Sequence, residues 1–255
     1  MSDQPVVVDI QDEVMIITFN RPKARNAVNK AVAEGISAAL DQLESDNGLR
    51  VAILTGSGGT FCSGMDLKAF VAGESPVVEG RGFAGLCEHQ YEKPLVAAIE
   101  GYALAGGFEM ALSCDLIVAA ENSSFGIPET KRGLVAGAGG LVKLPKQMPI
   151  RIAKELALTG DFFSADRVYD LGLINKVVPE GKALEEALDL AKRIAANGPL
   201  AVSVSKKVLD SAQDWTNAEM FAQQNQLAQP VYTSEDAIEG ATAFAEKRAP
   251  VWKGR

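Results

Sequence analysis

The chain has 255 residues, 47% of them hydrophobic, which suffices for a core covering roughly 70–75% of its extended-chain surface, in one large domain with an appendage or in two modest ones. A formal net charge of −8 and a pI of about 4.9 argue against a general affinity for nucleic acid or anionic membrane, though a local basic patch remains compatible with binding a polyanion. The three cysteines, Cys62, Cys87 and Cys114, contain no CxxC pair, which disfavours a disulfide framework or structural zinc site and favours a reducing compartment.

Met1-Ser2-Asp3-Gln4-Pro5 has no basic region leading into an apolar core, so no secretory signal is expected. Val6–Ile10 and Val14–Phe19 are β-branched runs separated by Gln11-Asp12-Glu13, the pattern of a hairpin. Asn29 stands where it can cap a helix over Lys30–Glu44, with Val32, Ile36, Leu40 and Leu43 on one face. Val51–Thr55, Leu95–Ile99 and Leu116–Ala120 read as short buried strands, and Ala72–Gly85, glycine-rich and weakly patterned, as a mobile loop. A helix is expected from Gly106 or Gly107 through Met110–Ser113. Glu100 and Glu109 interrupt the most apolar region, so no membrane span is expected, and the cytoplasm is the expected location. From about Arg151 the pattern turns helical. Ala183–Asn197 carries a stripe of Leu184, Leu188, Ala191 and Ile194; Gly198-Pro199 ends it and starts the next helix, and helical stretches over Ala218–Leu227 and Asp236–Arg248 follow. The uneven strand–turn–helix rhythm indicates an α/β protein.

Two glycine-rich segments carry the chemistry. Phe61-Cys62-Ser63-Gly64-Met65-Asp66 follows the Val51–Thr55 strand, and Gly101-Tyr102-Ala103-Leu104-Ala105-Gly106-Gly107-Phe108-Glu109 follows Leu95–Ile99. Glycine at such turns lets a ligand approach and leaves main-chain N–H groups uncovered, and two converging N–H groups would form an oxyanion hole. Glu109 is either a solvated residue at a helix start or, among its non-polar neighbours, a desolvated carboxylate with a raised pKa. Glu129, in Phe125-Gly126-Ile127-Pro128-Glu129, is by itself an ordinary Pro-Glu turn, and Gly137-Ala138-Gly139-Gly140 follows it. A serine-hydrolase reading fails, because no G-x-S-x-G elbow occurs and the single histidine, His89, sits in a polar stretch. Gly56-Ser57-Gly58-Gly59-Thr60-Phe61 and Gly137-Ala138-Gly139-Gly140-Leu141-Val142 both lack the last glycine of a dinucleotide fingerprint, and no GxxxxGK[ST] loop exists. One histidine without clustered carboxylates gives no metal site. Cys62 reads as a packing residue rather than a nucleophile.

From Asn20-Arg21-Pro22 to Phe244-Ala245-Glu246-Lys247-Arg248, the order and spacing of these motifs resemble an enoyl-CoA hydratase of the crotonase (hydratase/isomerase) superfamily. The resemblance implies a crotonase-like spiral of β-β-α turns over residues 1–197 and a C-terminal helical region over 198–255 for oligomerisation and CoA contact. It places catalytic glutamates at Glu109, which would activate water, and Glu129, which would deliver a proton to the α-carbon. Both glutamates are present, as in hydratases, whereas many isomerases of the family keep one. The two oxyanion donors map onto the backbone N–H groups of Ser63 and Gly106, and a water-positioning N–H onto Gly137. Phe244 and Lys247 match CoA-binding positions that often act across a subunit boundary, and Lys68 could join the same cationic rim. The implied substrate is an acyl-CoA thioester, with CoA as part of it and no metal or redox cofactor. The implied assembly is a homotrimer or dimer of trimers, without nucleic-acid or membrane partners. Double-bond isomerisation, dehydration of a specialised hydroxyacyl-CoA, and acyl-CoA binding without efficient catalysis are the alternatives.

Overall fold

The computed structural model describes residues 4–255. Its first elements are an antiparallel hairpin, β1 (Val6–Gln11) and β2 (Val14–Phe19), turned at Asp12 with φ +55°. Helix α1 (Lys30–Ser45) starts where the Asn29 side chain accepts the Val32 N–H at 3.2 Å, and its Val32, Ile36, Leu40 and Leu43 are buried. Strand β3 (Val51–Gly56), the short helix α2 (Leu67–Val71), and the strands β4 (Val77–Val78) and β5 (Gly82–Phe83) come next. Then follow β6 (Leu95–Ile99), β7 (Tyr102–Leu104), α3 (Gly106–Ala111), β8 (Leu116–Ala120), β9 (Ser124–Gly126) and a 3-10 turn over Pro128–Arg132. Helices α4 (Gly140–Gln147) and α5 (Ile150–Thr159), β10 (Phe163–Ser164), α6 (Ala165–Asp170) and β11 (Lys176–Val178) lead into α7 (Ala183–Ala195), α8 (Pro199–Ala212), α9 (Met220–Tyr232) and α10 (Glu235–Glu246).

Six strands form one sheet in the order β1-β2-β3-β6-β8-β11, parallel except for the opening hairpin, and β10-β9-β7 form a second. The chain passes repeatedly from the large sheet to the small one and then into a helical turn: β6 to β7 to α3, and β8 to β9 to the 3-10 turn. A parallel bridge between Cys62 and Ala103 brings the segment after β3 into the same series. This is the β-β-α spiral that the resemblance implies. Because strand residues alternate between faces, β3 sends Ala52 and Leu54 into the core beneath α1, and Val51 and Ile53 into a second cluster beneath α7.

That second cluster departs from the stripe expected on α7. The buried line is Ala183, Ala187, Ala191 and Ala195, while Leu188 and Ile194 flank it and Leu184 is exposed. Small side chains allow the helix to lie close on the β-branched strand surface, so the packing face is marked by alanine rather than by leucine.

The Ala72–Gly85 segment is not a loose loop along its length. Within it Pro76, Gly82, Phe83, Ala84 and Gly85 are buried. Arg81 pairs with Asp41 at 2.5 Å and donates to the Ser37 hydroxyl at 3.1 Å, and the Tyr91 hydroxyl donates to the Gly85 carbonyl at 2.5 Å. Helix α9 extends past the expected Leu227 and contains Pro230, and α10 stops at Glu246 because Lys247 adopts a left-handed conformation, φ +54°. Among the described residues, no helix is long and apolar enough to cross a membrane.

Candidate active site

The two glycine-rich turns, α3, the 3-10 turn and the 137–140 loop surround a cavity of about 1080 Å³. Ser63, Lys68, Gly106, Glu109, Glu129 and Gly137 all line it, so most residues singled out in the sequence meet in one place.

The first turn revises one expectation. The Ser63 N–H donates to the Arg25 carbonyl at 3.1 Å, so it is already engaged and does not face the cavity as a free donor. Two residues on, the Met65 N–H has no acceptor among the described residues, and Met65 lines the cavity. Its neighbours fix it: Val28 N–H donates to the Gly64 carbonyl at 2.8 Å and Asp66 N–H to the Val28 carbonyl at 2.9 Å. The available donor is therefore Met65 rather than Ser63. The signal in the sequence was the glycine before it, because Gly64 has φ +97°, a conformation that L side chains avoid.

The second turn carries the Gly106 amide. Strand β7 turns into α3 at Ala105, whose φ +52° and ψ −131° are costly for any residue with a side chain. The turn leaves the Gly106 N–H without an acceptor among the described residues. The two turns are in contact: a Cβ built on Gly64 would lie 2.7 Å from the Ala105 Cβ and 3.1 Å from the Gly106 nitrogen. On the other side, a Cβ on Gly106 would meet the Phe83 ring at 2.5 Å. Glycine at both places lets the Met65 and Gly106 amides stand beside each other at the cavity wall.

The two carboxylates have opposite surroundings. Glu109 is buried, and its Oε1 accepts the N–H groups of Ala138 and Gly140, each at 2.8 Å. Burial raises its pKa, and the two amides and Lys143 oppose that rise. In Glu129, Oε2 is buried without a hydrogen-bond partner among the described residues. Burial pushes its pKa up to about 7, the nearby Glu109 adds to the rise, and its own amide and Arg132 lower it. An unpartnered acidic oxygen facing a cavity is poised to exchange a proton with whatever occupies it.

Gly137 lines the cavity with its N–H unpartnered among the described residues, while the next amides of the same loop hold Glu109. Lys68 lies at the rim with Arg21, Lys23, Arg25 and Arg132, of which Arg21 is tied to Asp66 at 2.8 Å. Phe244 and Lys247 are not brought to this cavity within the chain; Phe244 is 87% exposed on α10. His89 packs against the Tyr91 ring and does not line the cavity with Ser63, which removes the hydrolase alternative. Burial pushes the Cys62 thiol up to about 12, so it is a packing residue. Among the described residues, no group of three or more His, Cys, Asp and Glu could hold a metal ion.

The family model for enoyl-CoA hydratase/isomerase matches residues 9–255. The chain belongs to that family. It is 42% identical over 250 residues to a carnitinyl-CoA dehydratase from Salmonella typhi, covering 95% of each chain. Among solved structures, an enoyl-CoA hydratase from Mycobacterium tuberculosis is 57% identical with a TM-score of 0.97, covering 99% of this chain and 100% of that one. A carnitinyl-CoA hydratase from Mycobacterium avium is 44% identical with a TM-score of 0.79, covering both chains fully. The crotonase-type fold, the hydratase resemblance and the assignment as an enzyme of the lyase class are borne out.

Proposed function

We propose that the chain adds water reversibly across the 2,3 double bond of an enoyl-CoA thioester. The observation that carries this reading is one cavity holding two unpartnered amides, Met65 and Gly106, beside two carboxylates in unlike environments. The thioester carbonyl accepts from both amides. Negative charge grows on that oxygen as water attacks the β-carbon, so the donors bind the transition state more tightly than the ground state. Glu109, held by two amides, takes a proton from the water, and Glu129 gives one to the α-carbon. The Gly137 N–H orients the water. The reaction calls for no metal or redox cofactor, and CoA enters as part of the substrate.

The carnitinyl-CoA relatives favour a second direction for the same chemistry, dehydration of a hydroxyacyl-CoA, which reverses each proton transfer. The absorbance of a conjugated thioester distinguishes the readings across straight-chain, branched and cationic acyl groups. Its loss marks hydration, its gain from a 3-hydroxyacyl-CoA marks dehydration, its gain from a 3-enoyl-CoA marks isomerisation, and binding without change refutes catalysis.

The division into a spiral core over 1–197 and a helical region over 198–255 belongs to the same proposal, as does a cytoplasmic location. Helices α8 and α9 bury no residue within the chain, and Leu209, Phe221, Tyr232, Ile238 and Phe244 are exposed. That apolar surface supports a homotrimer or dimer of trimers in which Phe244 and Lys247 reach the CoA of a neighbouring subunit, with Lys68 contributing from the same subunit. A monomer in sedimentation equilibrium at micromolar concentration refutes the assembly.

A further inference from the structure

Behind Glu109, α4 carries a half-buried ammonium group, which lines a second cavity together with Ser113, Cys114 and Asp115. Lys143 sits one turn into that helix, and its Nζ donates to the Cys87 carbonyl at 2.8 Å and to the Ser113 hydroxyl. Ser113 in turn donates to the Glu109 main-chain carbonyl at 2.7 Å. The same stretch of chain holds the carboxylate from the front, through the Ala138 and Gly140 amides. Lys143 is also fixed along its length: a Cβ on Gly139 would touch its Cε at 3.3 Å. Among the described residues no carboxylate forms a salt bridge with Lys143, and both of its hydrogen-bond partners are neutral oxygens. A desolvated charge without an ion-pair partner is expensive. The enzyme therefore carries a cation there at a cost to stability that burying a neutral side chain would avoid.

We propose that Lys143 is a positioning residue for the hydration reaction: its half-buried positive charge favours the ionised base at Glu109 while the Ser113 link holds the Glu109 backbone in place. The inference rests on the hydratase reading above. The second cavity also presents His89, Lys146, and Asp115 in its ion pair with Lys206. Lys143 interacts with Glu109 and Glu88 and with the thiols of Cys87 and Cys114. Burial pushes both thiols up, Cys87 to about 12, so they are neutral at working pH. On its cavity side, Glu109 faces Glu129, to which Arg132 is coupled. Of these groups only Lys143 lowers the pKa of Glu109, alongside the two amides. Burial lowers the pKa of Lys143 itself, while the Glu109 carboxylate raises it, the reciprocal of the lowering that Lys143 exerts on Glu109.

The test is the pH dependence of kcat/KM for hydration in Lys143→Met, Lys143→Arg and Ser113→Ala. Without the cation the pKa of Glu109 rises, so the base is protonated further into the neutral range. The acid limb of the Lys143→Met profile should move to higher pH, making the loss relative to wild type greater at pH 6 than at pH 8. Lys143→Arg should restore the wild-type limb, and Ser113→Ala, which keeps the cation, should lower activity without moving the limb. A role in packing alone would depress activity equally at every pH, and an unmoved limb in folded Lys143→Met would overturn the proposal. So would a failure of both Lys143→Met and Lys143→Gln to fold while Lys143→Arg folds, since that assigns the residue to stability. A wild-type enzyme that hydrates no enoyl-CoA refutes the underlying reading instead, and the two failures are thereby distinguishable.

Discussion

Replacing Glu129 with glutamine separates catalysis from stability in a single side chain. The change keeps the shape and removes the ionisable proton, so proton delivery to the α-carbon is lost while thioester binding is retained. Such a transfer contributes about 10²–10⁴ in rate, and turnover in Glu129→Gln should fall within that range. Stability should move the other way. The folded pKa of Glu129 is about 7, against an ordinary value of 4.5, so the folded state holds the proton more tightly than the unfolded chain. Below the unfolded value the group costs nothing. As pH rises toward the folded value a penalty accumulates, and above about 7 it is complete. At about 1.4 kcal/mol for each tenfold change in proton affinity, the full shift corresponds to roughly 3 kcal/mol, and the partial exposure of Glu129 scales this down to about 1–2 kcal/mol. Urea unfolding should therefore find Glu129→Gln more stable than wild type at pH 8 and indistinguishable from it near pH 4. Turnover is followed by the absorbance of the enoyl thioester. Near-native activity in the folded variant would remove Glu129 from the mechanism, and equal stability at pH 8 would show that its carboxylate is solvated in the free enzyme.

Glu109→Gln should likewise bind acyl-CoA but lose about 10²–10⁴ in turnover, measured beside calorimetric titration with a non-reactive acyl-CoA; normal turnover would exclude it as the base. Gly64→Ala forces a Cβ to 2.7 Å from the Ala105 Cβ and strains a residue at φ +97°, so it should separate the two oxyanion amides and cost roughly 10²–10³ in turnover. Ser63→Ala removes a hydroxyl and keeps an N–H already given to Arg25, so it should remain active; if circular dichroism shows both variants folded and the serine variant alone is dead, the oxyanion assignment is wrong.

The parts of the fold legible in the sequence are those whose side chains announce their environment. Short apolar runs containing β-branched residues mark β3, β6 and β8, and Asn29 marks the start of α1 through its hydrogen bond to Val32. Glu109 stood out because a carboxylate among apolar neighbours is desolvated wherever that segment packs. What stayed hidden was set by backbone or by distant contact. A main-chain donor has no side-chain signature, so Met65 could be found only through the hydrogen bonding of Ser63 to Arg25. The buried face of α7 is made of alanines, which a pattern weighted toward bulky residues overlooks. Segment 72–85 looks unstructured by composition, yet Arg81, bonded to Asp41 and Ser37, ties it to α1, forty residues away in sequence. Lys143 gave no signal at all, since its role depends on Cys87 and Ser113, which lie far from it along the chain.

Two carboxylates in one cavity, one gripped by two amides of the 138–140 loop and one with an unpartnered oxygen, amount to a site built to share a single proton. Hydration needs Glu109 ionised and Glu129 protonated; dehydration needs the proton on Glu109 and Glu129 ionised to take the α-hydrogen. These are two placements of the same proton, so the pair has the same total charge in both directions, and its apparent pKa values belong to the pair rather than to either residue. The overall equilibrium between enoyl-CoA, water and hydroxyacyl-CoA exchanges no net proton with solvent. The pH profiles of kcat/KM for hydration and dehydration must then superimpose, each a bell whose alkaline limb reflects loss of the shared proton, governed mainly by the Glu129 value of about 7. The acid limb reflects protonation of Glu109, where the Ala138 and Gly140 amides and Lys143 act against burial. Measuring both directions between pH 5 and pH 9 on one acyl group tests this. An alkaline limb absent up to pH 9 would mean that no carboxyl proton is delivered, and the water or the substrate itself would have to supply it.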